Sequence, residues 1–481
     1  MIRAISILTL IFACLGAARA ADDGSILTYH AAPDRSGNFV VPSLTAERAR
    51  GLRPDTGFQG KISGHLYAQP LFWRDAGKAM LITATESNAV AALDAASGQQ
   101  LWSRSLGAPV SRSALRCGNI DPLGVTGTPV IEPQTQTLYV AAAVGGTEGV
   151  RHLVFALRLR DGEPLPGWPV NIADLLKQHG LTFNTRDQNQ RSALTILDGR
   201  LYVAYGGHYG DCGDYHGWVV GLSLHDPHDV VAWSTPARGG GIWAPGGMAT
   251  DGKSLYAATG NTFGASHWMG GEAVVRLSPE LKTSGERRDF FAPENWQSLD
   301  ARDLDLGGAN PVLVPGASSV LALGKDGHAY LLDRDNLGGI GGSLANEVVS
   351  PRMIRTAPAA YAAAGAAFVA FQGPGSRCPA GKPAGDLTGL RISGNVLTTA
   401  WCAAVRGAGS PIVTTTDGHS DPIVWMLGAE GDNRLHGFKG ESGEPIYASA
   451  AMVGLRHFQT LIATDERLYV GADDRIYAFA F

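Results

Sequence analysis

The segment Gly206-Gly207-His208-Tyr209-Gly210-Asp211-Cys212-Gly213-Asp214-Tyr215-His216-Gly217 holds the densest set of potential ligands in the chain. Imidazoles and carboxylates this close together bind metals or move protons, but His208, Asp211, Asp214 and His216 match no standard zinc spacing and no pair is fixed on a helix face. The competing reading is a lid ordered by its own side-chain hydrogen bonds. Elsewhere the chemically capable residues come singly, each beside glycine or in a turn: Glu148, Asn261, Asp303, Asp305 and Lys325, with Trp243 as a flat apolar surface. Asn261 and Lys325-Asp326-Gly327 also read as plain turn residues. No nucleophile elbow, HExxH, P-loop or Rossmann fingerprint occurs in a supporting context, so hydrolase and nucleotide-dependent chemistries have little support.

Scattered residues need a scaffold that brings them together, and the chain repeats one. An apolar strand, a short turn, a strand of the type Leu-Tyr-Val-Ala, a Gly-rich loop and a third strand recur, first from Leu66 to Trp102. Comparable units begin near Gly124, Asn189, Ile242, Gly307, Arg355, Gly409 and His457, at spacings of about 45 to 65 residues, the range of four-stranded propeller blades. The expected fold is all-β, an eight-bladed propeller of four-stranded antiparallel blades. Seven blades plus a hairpin is the alternative, because the unit from Arg355 is the least regular. The last unit supplies three strands before Phe481, so the apolar stretch Ser25-Ile26-Leu27-Thr28-Tyr29-His30 is expected to close the ring as the missing strand. In a propeller, the loops between second and third strands share one face with the links between blades. Glu148, His208, Asp211, Asp214, His216, Asn261 and Lys325 then converge there, with Asp303 and Asp305 from a link.

Composition agrees with that architecture. Of 481 residues only 17% are charged, against roughly 25% in ordinary domains, while 63 are Gly and 26 Pro. The formal net charge of -5 and the lack of a Lys/Arg run exclude a nucleic-acid footprint. Residues 1–20 read as a signal peptide: Arg3, an apolar run from Ile5 to Leu15, and Ala18-Arg19-Ala20 before a mature chain, 21–481, forming a single propeller domain. The expected location is periplasmic or secreted, with no integral membrane segment. A lipoprotein box ending at Cys14 fits less well, because Phe12 is bulky where a small residue is expected. Cys117, Cys212, Cys378 and Cys402 remain, enough for two disulfides in an oxidising compartment. Cys378–Cys402, within one repeat, is the favoured bridge; Cys117 and Cys212 are either the other pair or free thiols. The absence of CxxCH argues against attached haem.

Ala92-Leu93-Asp94-Ala95-Ala96-Ser97-Gly98-Gln99-Gln100-Leu101-Trp102 resembles the repeat of proteins related to the pyrroloquinoline quinone (PQQ) dehydrogenases, where the Trp packs between blades. Gly241-Ile242-Trp243 through Gly260-Asn261 resembles the segment that places a Trp under the quinone and an Asn on the metal. Asp303-Leu304-Asp305 falls where those enzymes carry their catalytic Asp, and Gly324-Lys325-Asp326-Gly327 resembles the segment whose Arg or Lys contacts the quinone. The resemblance implies PQQ held by Trp243 and Lys325, Ca²⁺ held by Glu148 and Asn261, and Asp303 or Asp305 as the base in an oxidoreductase acting on a small alcohol, aldehyde or sugar. Two departures stand against it. Cys117 is followed by Gly118 rather than a second Cys, and an ungapped reading puts Thr147, not Glu148, at the metal position. The segment from Gly206 to Trp218 is similar instead to exported PQQ-like-repeat proteins without assigned activity, so a non-catalytic scaffold binding a ligand or protein on one face is the competing function.

Overall fold

The computed structural model describes residues 24–75, 77–380 and 385–481. The proposed signal peptide and Cys14 lie outside them. Eight antiparallel sheets follow one another along the chain, giving an eight-bladed β-propeller. Blade 1 consists of Leu71–Asp75, Lys78–Ala84, Ala89–Asp94 and Gln100–Ser105 in spatial order. Blades 2 to 7 repeat this order over 130–171, 195–234, 249–292, 312–348, 359–403 and 412–448. The irregular unit after Arg355 is thus a complete blade.

Each blade is sandwiched between two others, so its central strands are buried on both faces and read as continuous apolar runs rather than alternations. Thr137–Val144 is buried at every position. The outermost strands of blades 1, 3, 5 and 7 are wetter, with no buried residue in Gln100–Ser105, Val230–Ser234, Ala345–Val348 or Pro445–Ala448. The repeat residues also latch adjacent blades. The hydroxyl of Tyr202 donates to the Pro279 carbonyl of the next blade, Tyr256 to Arg334, Tyr361 to Gly440 and Tyr469 to Ala95. The Trp102 indole donates likewise to Leu159. In the turn before Trp102, Asp94 accepts the backbone N–H and the hydroxyl of Ser97, which identifies it as a turn residue.

Ring closure by an N-terminal strand holds, but the strand is not Ser25–His30. Blade 8 comprises Leu461–Ala463, Arg467–Ala472 and Arg475–Ala480, and its outer strand is Arg53–Pro54, with both residues exposed. The outer edge of a blade faces water and tolerates Pro, so the apolar stretch belongs elsewhere. Ile26 pairs with Phe72, and the chain then threads the axis. Backbone carbonyls of Leu27, Pro33, Asp34, Ser36 and Gly37 accept N–H groups from Ile131, Thr250, Leu313, Ala360 and Val413, on blades 2, 4, 5, 6 and 7. Asn38–Val40 adds a parallel strand to blade 7. This segment plugs the channel. Its anchor is Arg35, fully buried, which donates to the carbonyls of Tyr29, Leu194 and Met248 and the hydroxyls of Thr28 and Thr195.

Both disulfides form, Cys378–Cys402 and Cys117–Cys212. Among the described residues no helix is long and apolar enough to cross a membrane.

Candidate functional site

A cavity of about 1230 Å³ is lined by the inter-blade links and the loops between second and third strands of blades 3 to 7. Trp243, Asn261, Asp303, Asp305, Lys325, His208 and Asp211 all line it. Glu148, Asp214 and His216 do not. Glu148 is solvent-exposed and pairs with Arg151 at 2.9 Å. Asp214 and His216 sit in the outer part of the lid.

The lid is heavily tied. Cys212 bonds Cys117, Arg238 donates to the carbonyls of Asp211 and Gly213, and Asp187 accepts the Asp214 N–H. Tyr215 donates to Asp211 at 2.7 Å, and His216 Nδ1 lies 2.9 Å from the Thr235 carbonyl. His208 faces inward, 3% exposed, with Nε2 lacking a partner; burial first, and then neighbouring His152, push its pKa down to about 4. Tyr209 stands 73% exposed at the mouth.

On the opposite wall, Asp305 organises the site. It is buried; Oδ1 accepts the Asn261 N–H at 2.8 Å, and Oδ2 accepts the Trp243 indole at 3.1 Å and the Lys325 ammonium at 2.6 Å. The approach demands glycine at position 260, where a Cβ would lie 2.7 Å from Asp305 Oδ1. Lys325 also reaches Asp303 at 2.8 Å, and its ammonium stands 5.4 Å from the Trp243 ring centre. Burial opposes the Lys325 charge, but Asp305 and Asp303 outweigh it and raise its pKa. Two anchors hold the segment carrying both aspartates. Asp300, at the end of the helix Trp296–Asp300, accepts from Thr262, and Glu272 accepts the Leu306 N–H at 2.6 Å. Burial and the charge of Asp305 keep the Glu272 pKa well above the usual carboxyl range. Asp303 itself is exposed, with its side chain 61% accessible and φ at +53°.

The other wall carries residues that reading the sequence missed. Arg191 lies 6.0 Å from Trp243 and 5.4 Å from Phe458, measured from guanidinium to ring centre. Its guanidinium has no hydrogen bond or ion pair among the described residues, nor have those of Arg355 and Arg406 at the rim. Phe458 has φ at +69°, a costly conformation for an aromatic residue, held by hydrogen bonds to Ala408 and Ser410. His457 pairs with Glu430 at 2.7 Å. Arg191, Arg355, Arg406 and His457 all lie on inter-blade links, as Asp303 and Asp305 do. Extending the link rule to every blade would have found them; nothing in the sequence announces the strain at Phe458.

No protein-family model and no curated protein matches the chain. Solved structures do. It superposes on quinohemoprotein alcohol dehydrogenase from Comamonas testosteroni with a TM-score of 0.67 at 15% identity, covering 96% of this chain and 81% of that one. The fold is that of the quinoprotein propellers. A europium-containing methanol dehydrogenase gives 0.65 at 12% identity over 95% of this chain and 98% of that one. BamB from Moraxella catarrhalis gives 0.51 at 14% identity over 88% and 99%.

The cavity fits a flat polyanion: Trp243 offers the surface, and the guanidinium groups of Arg191, Arg355 and Arg406 have no partner among the described residues. It does not fit a divalent ion in the same way. Among the described residues no three His, Cys, Asp or Glu side chains are grouped to hold one, and Asp303 and Asp305 are engaged by Lys325.

Proposed function

We propose that this is an exported quinoprotein oxidoreductase that binds PQQ in the axial cavity and oxidises a small alcohol, aldehyde or sugar. The observation that carries the reading is one cavity holding Trp243, three arginines without a partner among the described residues, and a carboxylate–ammonium–carboxylate cluster. Guanidinium groups recognise carboxylates bidentately, so Arg191, Arg355 and Arg406 would hold the acidic groups of the cofactor while Trp243 supports its plane. Bound PQQ supplies the hydride acceptor. Asp303 is the better candidate base: it is open to the cavity and only its Oδ1 is engaged, whereas both oxygens of Asp305 are used in holding Trp243, Asn261 and Lys325. Lys325 steadies the carboxylate that takes the alcohol proton. Both disulfides support an oxidising compartment.

The scaffold reading draws on Gly118, which follows Cys117 where a second cysteine would stand, and on the fold shared with BamB. Incubation with PQQ separates the two. An oxidoreductase acquires quinone absorbance and reduces an artificial dye with some alcohol or aldose; a scaffold retains no cofactor at micromolar concentration.

A further inference from the structure

We infer that Lys325 is the resident cation of the cavity: it fills the place between Asp303 and Asp305, so the site takes its anionic ligand without a metal. Ca²⁺ and its relatives need about six to eight oxygen ligands at close range. Here the oxygens are spoken for. Asp305 uses Oδ1 on the Asn261 N–H and Oδ2 on Trp243 and Lys325, and Asp303 gives Oδ1 to Lys325. The other carboxylates around the cavity are partly engaged as well: Asp211 accepts the hydroxyl of Tyr215, Asp326 accepts that of Tyr330, Glu430 pairs with His457 and Asp386 with Arg352. Glu272 has Oε2 on the Leu306 N–H and Oε1 without a partner, but it is buried behind the wall and does not line the cavity, and Glu148 lies outside it. The oxygens left open around the cavity, on the Asn261 side chain, Asp303, Asp211 and Glu430, are not gathered at one point: among the described residues no three His, Cys, Asp or Glu side chains are grouped to hold an ion. An incoming dication would have to displace an ammonium held by two carboxylates, with the side chain 11% exposed. The positive charge that polarises a bound anion or carbonyl is therefore covalently part of the chain, and Arg191 extends it across Trp243.

The test has two arms, because the choice of PQQ as probe rests on the function proposed above whereas metal binding does not. In the first, Ca²⁺ and La³⁺ are titrated calorimetrically into the full-length protein stripped with chelator. No saturable micromolar binding is expected, and saturable binding of either ion overturns the inference. In the second, PQQ is titrated by quenching of tryptophan fluorescence in EDTA and in excess Ca²⁺. Affinities agreeing within about twofold are expected; a gain of about tenfold with the metal overturns the inference. Lys325→Met, checked for folding by its melting curve, should weaken PQQ binding in EDTA by about tenfold; unchanged affinity in a folded variant also overturns it. Absence of PQQ binding under all conditions refutes the proposed cofactor but leaves the metal arm decisive on its own.

Discussion

The two ends of the propeller axis hold cations in opposite ways. At the plugged end, Arg35 is fully buried and its guanidinium donates to five acceptors, all neutral. At the open end, Arg191 is packed between Trp243 and Phe458 and donates to nothing among the described residues. A buried charge is tolerated where its donors are satisfied and is costly where they are not. The first arrangement is complete as it stands and serves the fold; the second leaves its donors facing the cavity, where an acidic ligand can take them. Backbone strain does not divide them, since His30, Ala31 and Arg35 in the plug have positive φ as do Asp211, Asp303, Glu430 and Phe458 around the open cavity.

The largest expected effect tests the open end. Asp303→Asn should leave PQQ retention intact and lower dye reduction about 1,000-fold, whereas Asp305→Asn should lower retention and melting temperature together. If Asp303→Asn is active and Asp305→Asn is inactive but binds normally, the assignment of base and organiser is reversed. Next comes the plugged end. Arg35→Met strands several buried acceptors and should destabilise the protein by about 4 kcal/mol in denaturant melts, while the folded fraction binds PQQ as before. A loss of binding at unchanged stability would erase the distinction between the ends.

Glu86 sharpens the comparison through pH. It is buried, with one oxygen on the Gly124 N–H, and burial pushes its pKa up to about 7. The folded state then holds a proton that the unfolded state releases above its ordinary pKa, so this group's stabilisation is complete at low pH and is lost as pH rises through 7. Glu86→Gln should therefore gain stability relative to the parent between about pH 5 and pH 8, by up to about 3 kcal/mol. Parallel melting curves across that range would sink the assignment. Arg191→Gln is smaller: PQQ affinity about tenfold lower, with melting temperature unchanged or raised. Smallest of all is Glu148→Gln, which removes an exposed ion pair and should change stability by less than about 0.5 kcal/mol.

Much of the fold was legible because a propeller writes itself periodically. Blade number, the Asp94-to-Gly98 turn, the inter-blade Trp102 and the convergence of Trp243, Asn261, Asp305 and Lys325 all follow from local repeats in fixed register. The errors came where apolar character was read without position. Ser25–His30 is apolar because it meets the channel, not because it is a strand of blade 8. Arg53–Pro54 closes the ring although nothing apolar marks it, since an outer edge asks only for backbone hydrogen bonds.

By itself, the sequence determined the repeat, hence the blades and the face on which their loops gather, because strand period and turn chemistry are local properties. Tertiary structure alone decided which of those loop residues meet. That Lys325 lies between two aspartates, that Arg191 meets no acceptor among the described residues and that Glu148 turns outward all depend on distances between blades. Those distances are set by the closure of the ring and the packing of the axial plug, which no local stretch of chain encodes.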